Sequence, residues 1–198
     1  MLFHLFTSLI DQYSFLNVFK YLTFRTGLSV MTSLIVVFII GAPLIKIFSE
    51  KMITGPIRQD GPIDHIVKKS GTPTMGGVII IIGIISSTLL WADLKNIYVW
   101  TLIFVSLSLG ALGLLDDILK IKLKNSTGLQ SRYKFIGQLI ISLVTLIILI
   151  KYSDHKYLYE LYFPFFKNLI LHLGIFFIPF GLFVIIGASN AVNLTDGL

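Results

Sequence analysis

Ile97-Tyr-Val-Trp-Thr-Leu-Ile-Phe-Val-Ser-Leu-Ser-Leu-Gly-Ala-Leu-Gly-Leu-Leu115 is an uncharged, almost wholly apolar run, and Asp116-Asp117 follows it at once. A helix of about 20 mainly apolar residues crosses the hydrocarbon core of a bilayer, so the run predicts a membrane span. The two acids at its end are costly. Like charges repel, and the C-terminal end of a helix already carries partial negative charge. Ionisable groups at the edge of a hydrocarbon layer point to function. A divalent cation or a proton would relieve this repulsion.

The whole chain fits a bilayer. Its 198 residues are 55% hydrophobic and 13% charged, with mean hydropathy +0.87, outside the range of a soluble domain. The net charge of +6 lies in short loops between apolar runs, as topogenic charge does, so it does not indicate nucleic acid. Cysteine is absent, which excludes disulfides and thiolate metal sites. The first 25 residues lack a basic leader and carry Asp11, Lys20 and Arg25, so they do not read as a cleavable signal peptide.

Five spans are predicted, at about 27–48, 75–92, 97–115, 135–150 and 169–189; the fourth is short and borrows flanking residues. Residues 1–24 read as an interfacial or partly inserted helix, interrupted by Thr7, Ser8, Asp11, Gln12, Ser14 and Asn17. The architecture expected is an all-α, multi-span membrane helical bundle forming one domain. Alternate loops then carry ten basic residues on one side and six on the other, and the richer side is assigned to the cytoplasm. That side holds three polar stretches, 49–74, 116–134 and 188–198. On the other side Tyr152, Tyr157, Tyr159 and Tyr162 form an interfacial belt.

Each cytoplasmic stretch offers chemistry beside a plainer explanation. In Lys69-Ser-Gly-Thr-Pro-Thr74-Met-Gly-Gly77, glycine permits close backbone approach and a new helix N-terminus with Lys69 suits an anion. An ordinary turn with snorkelling lysines explains the same string. Asp116 and Asp117 suit Mg²⁺, which takes carboxylate, phosphate and water oxygens. Lys120 would lie beside both in a helix, and an internal ion pair would neutralise one of them. Arg132 and Lys134 begin the fourth span, where a topogenic role is sufficient for Arg132. Asn190, Asn193 and Asp196 recur every three residues on one face of a helix end, suiting a polar heterocycle, ribose hydroxyls or a metal's water shell. Capping and turn formation are the plainer alternative. His4, His65, His155 and His172 show no metal-ligand spacing. Phosphate sites, a metal site and a polar head-group site on one face suit phosphoryl transfer between a soluble nucleotide and a lipid phosphate.

These strings resemble phospho-N-acetylmuramoyl-pentapeptide transferase, the bacterial enzyme family that makes the first lipid-linked peptidoglycan precursor. The resemblance rests on residues 69–77, on Gly113-Leu-Leu-Asp-Asp117 with Lys120, and on Asn190-Ala-Val-Asn-Leu-Thr-Asp-Gly-Leu198. The last two motifs are shared with sister enzymes using other UDP-N-acetylhexosamines. The resemblance implies transfer of phospho-MurNAc-pentapeptide from UDP to undecaprenyl phosphate with Mg²⁺, releasing UMP, at the bacterial inner membrane with the site facing the cytoplasm. It implies that Asp116 is the base, or the nucleophile of a two-step route, and that Asp117 lies in the metal and phosphate site. Lys69, Thr74, Lys120, Lys134 and Asn190 would contact substrate, with Asn193 and Asp196 toward the uridine side. A homodimer is left open.

The chain departs from the family by stopping at Leu198, inside the third motif. A third metal-associated aspartate, an aromatic residue stacking on uracil and a histidine-rich loop would lie beyond it. The expectation is an N-terminal portion of a longer enzyme, inactive alone. Alternatives are a sister UDP-N-acetylhexosamine transferase, a transporter coupled to cations or protons through Asp116 and Asp117, and a non-catalytic membrane remnant.

Overall fold

The structure, a computed structural model, describes residues 1–50, 75–123, 128–153 and 155–196. It divides into two compact units, Met1–Leu129 and Gln130–Leu198. Lys69 and Thr74 lie outside the described residues.

The first unit contains α1 (Leu2–Ser8), a 3-10 turn (Ser14–Lys20), α2 (Leu22–Glu50), α3 (Gly77–Trp91) and α4 (Ile97–Leu123). The single interfacial helix expected over residues 1–24 is therefore two short pieces, separated in the polar stretch that contains Asp11 and Gln12. Within α2 the hydroxyls of Thr26 and Thr32 donate to the carbonyls of Leu22 and Leu28, at 2.9 and 2.7 Å. A helix in hydrocarbon must satisfy its polar groups internally, and these bonds do so. Packing between α2 and α3 depends on a missing side chain. A Cβ on Gly83 would stand 2.7 Å from Val37 Cγ2 and 3.1 Å from Ser33 Oγ. Trp91 Nε1 also donates to Thr32 Oγ1 across this contact, at 2.9 Å.

The second unit contains α5 (Ser131–Tyr152), a short α6 (His155–Leu158), a hairpin of β1 (Glu160–Phe163) and β2 (Phe166–His172), a 3-10 turn (Gly174–Phe176) and α7 (Phe177–Asp196). Pairing is antiparallel, from Glu160 with His172 to Phe163 with Phe166. The span predicted from residue 169 thus starts too early. Residues 169–172 are strand, because a short apolar run has the same hydropathy in a strand as in a helix. Gly181 lets α7 approach α5, since a Cβ there would lie 2.6 Å from Leu146 Cδ2.

Four helices are long and apolar enough to cross a membrane, Leu22–Glu50, Ile97–Leu123, Ser131–Tyr152 and Gly174–Val192; Gly77–Trp91 is a shorter apolar helix. Burial is inverted relative to a water-soluble protein. Among the described residues Ser87, Thr101, Asp116, Gln138, Ser142 and Thr145 are buried, whereas Phe38 and Phe183 are three-quarters exposed. Apolar side chains facing outward and polar ones inward suit lipid as the solvent. The fold class is an all-α, multi-span membrane helical bundle, with one small hairpin added.

Candidate active site

The apolar sequence of α4 reaches Leu115, but the helix does not stop there. It continues to Leu123 with Lys120 and Lys122 in its last turn, where cations suit the negative end of the helix dipole. Asp116 and Asp117 are therefore about two turns short of that end, and the dipole penalty expected from the sequence is largely avoided. Their mutual repulsion remains.

Lys120 answers it. Its Nζ lies 2.7 Å from Asp116 Oδ2 and 3.5 Å from Asp117 Oδ1, at the i+4 and i+3 positions. Asp116 is only 6% exposed. Its second oxygen, Oδ1, accepts the backbone N–H of Leu129 at 2.8 Å. Gly128 makes that bond available, with φ of +56° and no Cβ to strike Asp116 Oδ1 or the Lys120 stem. Glycine takes this left-handed conformation without the steric cost that a side chain adds. Sequence reasoning did not single out Gly128 or Leu129; a glycine beyond a charged helix end was the available signal.

In the second unit Lys134 lies in the first turn of α5, its backbone N–H bonded to Gln130 O at 3.1 Å. Asn190, Asn193 and Asp196 all fall within α7. Asn190 meets a residue the sequence reading passed over. Its Nδ2 donates to Gln138 Oε1 at 3.0 Å, while Gln138 Nε2 donates to Asn190 Oδ1 at 3.2 Å. Gln138 is the one amide within a predicted span, and a polar side chain at membrane depth was its signal.

Asp116, Asp117 and Lys120 are thus brought together in one unit, and Asn190 is paired with Gln138 in the other. Among the described residues no three His, Asp or Glu side chains cluster as a metal site. The sequence profile of glycosyl transferase family 4 matches residues 99–198, which takes in α4 with its carboxylates and all of the second unit. The chain belongs to glycosyl transferase family 4. Signature 1 of phospho-N-acetylmuramoyl-pentapeptide-transferase matches residues 69–81. Family members bearing that name align with the whole chain. The one from Pelagibacter ubique (strain HTCC1062) is 60% identical over 198 residues, covering 55% of its own length. Those from Thermodesulfovibrio yellowstonii and Citrifermentans bemidjiense are 49% and 46% identical, with 55% and 54% of their lengths covered. The chain spans about half the length of these curated relatives.

Proposed function

We propose that the chain is part of a phosphoglycosyl transferase. It moves phospho-N-acetylmuramoyl-pentapeptide from its UDP carrier to undecaprenyl phosphate, forming lipid I and UMP. The observation that carries this reading is the shared Lys120 ammonium between Asp116 and Asp117 at the end of a membrane-length helix. Membership of the family, the signature at residues 69–81 and the names of the relatives support it.

In the reaction a lipid phosphate oxygen attacks the sugar-bearing phosphorus of the UDP-sugar. The bond from that phosphorus to the bridging oxygen breaks, and UMP leaves with the electron pair. Asp116 takes the proton from the lipid phosphate, or in the two-step alternative attacks the phosphorus first. Either role requires Asp116 Oδ2 to lose its ion pair. Asp117 lies within reach of the same ammonium, so Lys120 can shift to it while the Leu129 N–H keeps Asp116 Oδ1 in place. A carboxylate oriented toward the proton it takes is what general base chemistry requires.

Two carboxylates already facing one cation fit Mg²⁺, a hard ion taking oxygen ligands, and Asp116 and Asp117 are the residues that would hold it. Bound there, Mg²⁺ would neutralise phosphate charge. Lys69, Thr74, Lys120 and Lys134 are assigned to substrate phosphates, and Asn193 and Asp196 to the uridine side. The site faces the cytoplasm of the bacterial inner membrane, following the excess of basic residues in its loops.

The test incubates the longest natural form of the chain with undecaprenyl phosphate, Mg²⁺ and each UDP-sugar, following UMP release. UDP-MurNAc-pentapeptide should be turned over, and Asp116→Asn should abolish turnover. Release with UDP-GlcNAc alone would assign the chain to a sister transferase.

A further inference from the structure

Gln138 is 2% exposed and sits on α5 in an otherwise apolar stretch. The hydrogen-bonding directions around it are fixed by one carbonyl. Ile186 O can only accept, so Asn190 Nδ2 donates to it, at 3.0 Å. The other Nδ2 hydrogen goes to Gln138 Oε1, which leaves Asn190 Oδ1 to accept from Gln138 Nε2. The second Nε2 hydrogen of Gln138 points to Ser189 Oγ at 3.1 Å. One buried amide thus grips two consecutive residues of α7. The close approach at Gly181, where the Leu146 side chain fills the place of a Cβ, is apolar.

We propose that Gln138 is a positioning residue that fixes the rotation of α7 about its axis, and with it the positions of Asn193 and Asp196 around that axis. In lipid there is no hydrophobic force to seat one helix on another, and an interhelical polar contact replaces an unsatisfied group in hydrocarbon. Such a pair resists rolling in a way that apolar contact does not. At 100° per residue Asn193 lies about 60° and Asp196 about 120° around the helix from Asn190. Side chains extend about 5–6 Å from a helix axis, so a roll of only about 10° moves a tip by about 1 Å. Hydrogen bonds weaken steeply as their geometry departs from the ideal, and the loss of one to a ligand is worth about 1 kcal/mol, several-fold to tenfold in affinity. The inference rests on the proposed function only in assigning Asn193 and Asp196 to the ligand; the lock itself does not depend on it.

The experiment has two readouts in the longest natural form of the chain, reconstituted in lipid discs with other cysteines removed. The first is disulfide formation between cysteines placed at Leu146 and Gly181, which reports how α5 faces α7. The second is the dissociation constant of UMP, alongside KM and kcat for the UDP-sugar. Gln138→Leu should slow cross-linking severalfold and raise both the UMP Kd and KM by about tenfold, with a smaller change in kcat. Exchanging the two lengths, Gln138→Asn with Asn190→Gln, should recover much of the cross-linking rate. Gln138→Met serves if Gln138→Leu does not fold. An unchanged cross-linking rate overturns the proposal, as does a lowered Tm with UMP affinity and KM intact. A wild-type chain that binds no UMP while Gln138→Leu still alters cross-linking keeps the helix lock and removes the transferase reading.

Discussion

Lys120 Nζ stands 2.7 Å from Asp116 Oδ2 while remaining 3.5 Å from Asp117 Oδ1, so two adjacent carboxylates share one ammonium. Removing that cation leaves two like charges facing each other, one of them nearly enclosed. Lys120→Met should cost about 1–3 kcal/mol, less than a fully buried pair because Asp117 and Lys120 are partly solvated. Thermal unfolding in detergent measures it. If Mg²⁺ binds the same pair, added Mg²⁺ should raise the Tm of Lys120→Met more than that of the wild type, since the wild type already has its cation. An equal Mg²⁺ response in both would dissociate the metal from these carboxylates.

Gly128 controls the other oxygen of Asp116. In Gly128→Ala a new Cβ would meet Asp116 Oδ1 and the Lys120 Cε and Cγ, the latter two at 2.8 Å, on a backbone with φ of +56°. Left-handed backbone costs an L-residue about 1–2 kcal/mol before any clash. Relief by moving the loop would break the Leu129 N–H bond to Asp116. We expect a stability loss of about 2–3 kcal/mol by thermal unfolding and a fall in kcat in the UMP-release assay. A variant with native Tm and native kcat would show that the loop does not hold Asp116.

Local composition encodes the helices of this chain, and contacts between residues distant in sequence decide the rest. Apolar runs marked where helices form, and spacing placed Lys120 beside Asp116 and Asp117. Hydropathy ended the third span at Leu115, but backbone hydrogen bonding does not end where side chains become charged, and α4 runs to Leu123. Hydropathy likewise could not separate strand from helix at residues 169–172, where cross-strand pairing with Glu160 and its neighbours decides. Gln138 finds Asn190 across 52 residues. The turn at Gly128 depends on a carboxylate twelve residues earlier in the chain, whose position only the folded α4 defines.

The hairpin outside the spans carries a phenol that should titrate late. Tyr162 donates its hydroxyl to the Glu160 carboxylate two residues earlier on the same strand face. That hydrogen bond, reinforced by the negative charge of Glu160, raises the phenol from the ordinary 10.0 to about 12. A folded-state value above the unfolded one stabilises the protonated form. The contribution is thus fully present below about pH 10 and is lost as pH rises toward 12. Spectrophotometric titration of phenolate, compared between wild type and Tyr162→Phe, should show one tyrosine ionising in that window. Glu160→Gln should return it toward the ordinary value. A wild-type Tyr162 that already ionises there would mean that the Glu160 bond does not persist in solution.

Packing of α3 on α2 provides a contrast between two glycines. At Gly83 a Cβ would approach Val37 Cγ2 to 2.7 Å and the Ser33 backbone oxygen to 3.3 Å, whereas at Gly27 nothing lies within 4 Å. Both are inside helices, so alanine favours each backbone by about 1 kcal/mol before contacts are considered. Gly27→Ala should therefore be neutral or stabilising. Gly83→Ala should destabilise by about 1–3 kcal/mol, because overpacking outweighs helix propensity. The nearest obstacle is a side-chain methyl, so Val37→Ala in the same chain should recover part of that loss. The Ser33 backbone cannot yield as cheaply, so recovery should be incomplete. A double-mutant cycle by thermal unfolding isolates the coupling, and zero coupling between residues 83 and 37 would contradict this helix contact.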